Sequence, residues 1–203
     1  MLRYIINYVL NSEIITGGIK SPSIPLLMLL ISLLYASPNY SQTDISGVIN
    51  EYASVDSIWG NQAVILSNTE HPFQPGDTAL LMQIKGMSVY THDDLGEFGW
   101  QQDLNNSGNY EFLLIDQVNS DTIIFTREFL KEYNAIETAQ LIRVKGYESA
   151  RVIGTLEADH WNPEKGTGGV LAIIVTNTLT LEADIDLTAQ GFRGGTPTLS
   201  DNE

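Results

Sequence analysis

A chain of 203 residues with 43% hydrophobic content has the apolar mass to bury a core and room for one ordinary domain or two small ones. Its formal charge of -15 repels phosphate backbones and anionic lipid heads, which sets aside nucleic-acid binding and attachment to a membrane surface. The absence of cysteine removes disulfides, zinc–thiolate sites, thiol nucleophiles, iron–sulfur clusters and a lipoprotein anchor together.

Residues 1–42 read as a signal peptide with an upstream extension. Pro25 to Ala36 (PLLMLLISLLYA) is an apolar run preceded by Lys20 and followed by Ser37-Pro38-Asn39-Tyr40-Ser41-Gln42. Its length suits a signal-peptide core and falls short of the roughly 20 apolar residues that cross a bilayer. A buried helix and a retained signal anchor are the alternatives; Pro25 and Pro38, which bracket the run, oppose the first. Cleavage is expected near Gln42 or just after Ala36, giving a secreted or cell-surface protein with no stable membrane insertion. The stretch before Lys20, with its apolar patch at Tyr4 to Leu10, is longer than a leader needs, as a start codon placed too far upstream would make it. Cleavage removes Arg3, Lys20 and Glu13, two positive charges and one negative, and moves the net charge from -15 to -16.

Beyond Gln42 short apolar or alternating runs separated by turn residues predict β structure. Strands are expected at Ala63 to Leu66 and, after the turn Gln74-Pro75-Gly76-Asp77, at Thr78 to Ile84. Tyr110 to Val118 and Thr122 to Thr126 flank Asn119-Ser120-Asp121 as a β-hairpin. A helical turn is the reading for Arg127 to Ala139, then strands at Gln140 to Lys145 and Ala150 to Gly154.

The last part is more regular. Val170 to Val175 (VLAIIV) predicts a strand buried on both faces. Thr178 to Thr188 (TLTLEADIDLT) places Leu179, Leu181, Ala183, Ile185 and Leu187 on one face and polar side chains on the other, so one face should be buried and the other wet. Glycines at 166, 168 and 169 and at 191, 194 and 195 bracket this unit as corners between sheet segments. Such spacing is that of a parallel β-solenoid, which needs about three rungs or more. The expectation is an all-β chain: a small β-sandwich or barrel-like domain over 43–155, then the first rungs of a Gly-rich β-solenoid over 156–203, the front end of something longer.

Several segments carry a family resemblance: Gly76-Asp77, Gln83-Ile84-Lys85-Gly86, Asn109-Tyr110-Glu111-Phe112, Gln140-Leu141-Ile142-Arg143-Val144, Trp161-Asn162, Gly168-Gly169-Val170-Leu171-Ala172 and Gly191-Phe192-Arg193-Gly194-Gly195. Over most of residues 60–195 the chain resembles the amino-terminal region of large, adhesin-like surface proteins of Bacteroidota. The resemblance implies export through the general pathway and then type IX secretion. It implies no catalytic residues, since its motifs are structural, and it implies a carboxy-terminal sorting domain that this sequence does not contain.

Chemistry-bearing patterns are few. His71, His92 and His160 stand in no metal-ligand spacing. His92-Asp93-Asp94 with Glu97 is oxygen-rich enough for calcium or a transition metal, and equally a solvated acidic loop. Asp159-His160-Trp161 reads as a packed corner with Trp161 buried. Asp184 and Asp186, with Glu182, would share a strand face about 7 Å apart, a spacing that makes a glycosidase conceivable and that ordinary solvent-facing acids also show. A nucleophile elbow, a phosphate-binding loop and the GGxGxDx calcium repeat are all missing. Tyr90, Trp100, Tyr110 and Trp161 are the aromatics available for sugar stacking, with core packing expected for at least two; Trp100 and Trp161 are the ligand-binding candidates. The function expected is non-catalytic adhesion or surface interaction with an extracellular protein or polysaccharide. A carbohydrate-binding module or a polysaccharide-acting enzyme fragment is the alternative.

Overall fold

The computed structural model describes residues 42–60, 62–90 and 99–192, and of Glu137 the backbone alone. Over these residues the chain is all-β. In chain order the strands are β1 (Thr43–Val48), β2 (Glu51–Trp59), β3 (Ala63–Leu66), β4 (Thr78–Gln83), β5 (Ser88–Val89), β6 (Gln101–Asp103), β7 (Tyr110–Asn119), β8 (Thr122–Phe125), β9 (Ala139–Val144), β10 (Gly146–Glu157) and β11 (Ile174–Leu181). The helical segment expected at Arg127 to Ala139 shrinks to one 3-10 turn, Ala135–Glu137, capped by the Asn134 side chain, which accepts from the Ile136 N–H.

Six strands close into an antiparallel barrel in the order β2-β3-β8-β7-β4-β9, with β9 returning to β2. Closure leaves these strands no free edge. Alternation supplies the core: β7 sends Leu113 and Ile115 inward between exposed neighbours, and they meet Val64, Leu81, Ile123, Phe125 and Leu141. Each such side chain contributes about 1.5–3 kcal/mol by leaving water. The turn before β4 forms as its residues require, with Gly76 at φ +88° and the Asp77 N–H donating to the Gln74 carbonyl at 3.1 Å. The β7–β8 hairpin turns on Ser120-Asp121, with Ser120 at φ +56°.

β1, β10 and β11 form a separate three-stranded parallel sheet in the order β1-β10-β11. The barrel is therefore inserted between the first and second strands of this sheet. The division expected at residue 155 runs through β10, and the segment 43–155 serves both sheets.

Residues 170–173 form no strand, so the continuous strand expected at Val170 to Val175 is corrected to a strap that enters β11 only at Ile174. The strap is nonetheless apolar on both sides for a physical reason. Val170, Ala172 and Ile174 pack with Leu80, Ile142 and Val144 on the outside of the barrel, while Leu171, Ile173 and Val175 pack with Ile45, Ala150 and Val152 of the parallel sheet. Its backbone is satisfied by side chains in place of a neighbouring strand. Asn50 donates to the Ala172 and Arg143 carbonyls at 2.7 and 3.0 Å and accepts from the Ala172 N–H at 2.8 Å. Gln140 makes the same two-way pair with Gly168, and the Tyr52 hydroxyl donates to the Val170 carbonyl.

The single strand expected over Thr178 to Thr188 also differs. β11 stops at Leu181, the chain bends at Glu182-Ala183, and a parallel bridge resumes at Ile185 opposite Leu156. Of the predicted apolar face only Ala183 packs on the sheet's core; Leu179, Leu181, Ile185 and Leu187 are exposed, because β11 is the outermost strand and nothing among the described residues covers it.

Candidate functional site

An antiparallel barrel has two rims, and here they differ in chemistry. One rim carries the ends of β3, β7 and β9 and the starts of β2, β4 and β8; its turns are Ser67 to Asp77 and Ser120-Asp121, mostly polar, and both links to the parallel sheet leave from it. The other, distal rim carries the β2–β3 turn, the β4–β7 connection with the β5–β6 hairpin, and the β8–β9 loop. Nine large hydrophobic side chains lie exposed there: Trp59, Met87, Val89, Tyr90, Trp100, Leu104, Tyr110, Leu130 and Ile136. Trp59 and Trp100 are 65% and 63% exposed, and Leu130 and Ile136 are 82% and 89% exposed. Phe112 and Leu114, on the outer face of β7, extend the patch down the barrel. Isolated exposed apolar residues are normal, but nine gathered at one rim are the pattern of an interaction surface.

The crown is fixed from below. Within the β5–β6 hairpin Gly99, at φ +81°, donates its N–H to the Tyr90 carbonyl, and the Tyr90 N–H donates to the Trp100 carbonyl. This is a bulge that needs glycine at its first position, and it sets how Trp100 leaves the strand, beside the exposed Gln101, Gln102 and Asp103. The β8–β9 loop is clasped by one carboxylate. Glu111, on the inner face of β7, accepts from Arg127 Nη1 at 2.9 Å, the Leu130 N–H at 3.0 Å, the Lys131 N–H at 2.7 Å and the Tyr133 hydroxyl at 3.3 Å. Burial pushes the Glu111 carboxyl up, yet these donors together hold it below the ordinary glutamate range. Burial and the neighbouring Glu111 charge push the Tyr133 phenol up. Above the clasp, Phe125, Phe129 and Tyr133 stack edge to face at 5.7 and 5.8 Å and close the barrel mouth. Gln83, fully buried, accepts from the Asn134 N–H and donates to the Lys85 and Asn105 carbonyls, tying the β4–β7 connection to the β8–β9 loop. A cavity of about 440 Å³ opens between the β2–β3 turn and this loop, lined by Ile58, Gly60, Phe129, Leu130 and Tyr133 among others.

Of the predicted site residues, Trp100 takes its place in the crown. Trp161 does not: it is half-buried at the sheet end, edge-on to Phe192 at 4.9 Å, with its backbone N–H donating to the Gln190 carbonyl. Core packing expected for two of the four aromatics is corrected, since Tyr90, Trp100 and Tyr110 are all exposed. His92, Asp93, Asp94 and Glu97 lie outside the described residues. Among the described residues no three histidine, aspartate or glutamate side chains gather closely enough to hold a metal ion. Asp184 and Asp186 flank the bridge at Ile185 in place of sharing a strand face; the Asp186 carboxylate accepts from the Thr188 N–H at 2.9 Å, and bonding to Thr188 holds it below the ordinary range. Trp59, Leu130 and Ile136 escaped the sequence reading, and Gln83 and Glu111 stood in it only as structural positions of the family resemblance; the topology puts all five at one rim. No described helix is long and apolar enough to cross a membrane.

No protein-family model and no curated protein matches the chain. Solved phage tailspikes show a distant likeness. The tailspike gp61 of Pseudomonas phage phi297 is 12% identical at TM-score 0.36, over 70% of this chain and 24% of the tailspike. The gp54 tailspike of Acinetobacter baumannii bacteriophage AP22, in complex with A. baumannii capsular saccharide, is 14% identical at TM-score 0.34, over 68% and 21%. The tailspike gp49 of Pseudomonas phage LKA1 is 12% identical at TM-score 0.31, over 71% and 23%. The chain thus spans about a quarter of the length of these tailspikes or less, and scores this low leave its fold and function to be argued from its own residues.

Proposed function

We propose that the chain is a non-catalytic surface-interaction module, adhesive in character, that works outside the cell and grips its partner with the distal crown of the barrel. The observation that carries the reading is that nine of the eighteen exposed large hydrophobic residues among the described ones gather at the distal rim, where Glu111 and Gln83 pin the β8–β9 loop and the β4–β7 connection. Pinned loops lose little conformational freedom on binding, which favours affinity. Apolar crown residues supply contact area, and the surrounding negative charge selects a partner with a basic rim.

Export rests on the leader at Pro25 to Ala36. The resemblance to amino-terminal regions of Bacteroidota adhesin-like proteins supports a place at the front of a larger surface protein. In that setting β1, β10 and β11 are the opening rungs of a β-solenoid: Ile45, Val152 and Leu181 line up across the sheet, and the exposed Leu179 and Leu181 on β11 are what a further rung would cover.

The test displays the chain on beads against extracellular-matrix proteins and envelope proteins. Retention by at least one of them, lost when Trp59, Trp100 and Leu130 are changed together to Ser, is expected. Retention indifferent to the triple variant overturns the proposal.

A further inference from the structure

Two open clefts of about 440 and 410 Å³ adjoin on the barrel's flank and share Tyr52, Lys165 and Thr167. The first adds Asp159, His160 and Asn162; the second adds Ser67, Asn68 and Glu70. Neither takes a residue from the crown. Their walls are held in place before any ligand arrives. The Tyr52 hydroxyl donates to the Val170 carbonyl at 2.6 Å, and burial pushes its phenol up to about 12. Gly168, at φ +97° and packed so closely on the His160 carbonyl that a Cβ would lie 2.5 Å from it, is bonded on both sides by Gln140.

The lining also has hydrogen-bonding capacity left over. Asn162 uses its side-chain oxygen on the Glu164 and Lys165 N–H groups, and Asn68 uses its own on the Glu70 N–H, so both NH2 groups are without a protein partner among the described residues. Lys165 likewise makes no ion pair with a described residue.

From this array we infer a second binding site, for a neutral oligosaccharide of two or more rings. Asp159, Glu70 and Glu164 outnumber Lys165, which disfavours phosphate and other anions. The lining combines amide and ammonium donors with carboxylate and hydroxyl acceptors. A sugar hydroxyl, which both donates and accepts, satisfies such a lining better than an apolar ligand would. Tyr52, half-buried against Leu80, Ile142 and Val144, lines both clefts and joins them. The site goes beyond the adhesive crown and stands or falls separately from it.

The experiment applies the full chain to a printed panel of neutral hexose and N-acetylhexosamine oligosaccharides beside uronate and sulfated ones, then measures affinity for the retained glycans by calorimetry. Retention of at least one neutral oligosaccharide is expected. Lys165→Ala and Glu70→Gln, both at exposed positions, should each weaken it about tenfold with melting temperature unchanged, and Trp100→Ala should leave it intact. A panel with no neutral glycan retained, retention of acidic glycans only, or binding indifferent to both cleft substitutions overturns the inference.

Discussion

Glu111 shows how much of the distal loop hangs on one carboxylate. It is buried on β7 and accepts four hydrogen bonds, all from residues 127–133. Glu111→Gln removes the charge that the donors are arranged around and should cost about 2 kcal/mol in chemical denaturation. Because its folded-state pKa lies below the unfolded value near 4.3, the stabilisation is present above about pH 4.3 and is lost as pH falls through the folded value. The gap in melting temperature between the parent chain and Glu111→Gln should therefore be full at pH 7 and narrow steadily below pH 4.3; a gap independent of pH would count against the clasp. Nothing local in the sequence announces this residue, since its partners lie 16 to 22 positions away and four of its bonds depend on how the loop folds back. Trp100 was legible only as one of the aromatics available for sugar stacking. That Gly99 forms the bulge beneath it was not.

At the scale of elements, the strap between barrel and parallel sheet separates what pattern reveals from what it hides. The run VLAIIV correctly signals burial on two sides, but burial on two sides does not require a β ladder. Side-chain amides replace the ladder here, and sequence periodicity is blind to them. Asn50→Ala would leave the Ala172 N–H and the Ala172 and Arg143 carbonyls without their side-chain partner in a buried place. A loss of about 3 kcal/mol is expected, read as a lowered urea midpoint. Gly168→Ala should cost more than about 2 kcal/mol, because its backbone angle and the His160 carbonyl both refuse a side chain. The alternating run after Asn177 misleads for a related reason: period two reports that a segment can lie on a sheet, not that its apolar face has a cover. Leu181, 57% exposed, illustrates the point. In this chain Leu181→Ser should change stability by no more than about 0.5 kcal/mol; a larger loss would mean that the face is covered in solution.

Over the whole molecule, the all-β class and the strands at Ala63, Thr78, Tyr110, Thr122 and Gln140 were legible because hydrophobic alternation and turn residues mark them locally. β1 and β2 were not, as TDISGVINEYASVDSIW mixes serine, acid and apolar residues without a clean period. Nor was the insertion of the barrel between β1 and β10, a pairing over about a hundred residues that leaves no local trace. That topology is what separates the two rims, places the apolar crown away from the parallel sheet, and makes an adhesive module the reading. The proposed adhesive role requires export. The deciding measurement is intact-mass and amino-terminal analysis of the native product in cytosolic, envelope and extracellular fractions. A product at the cell surface or in the medium, beginning between Ser37 and Thr43, is the expected result. A product that keeps Met1 and stays in the cytosol would contradict it.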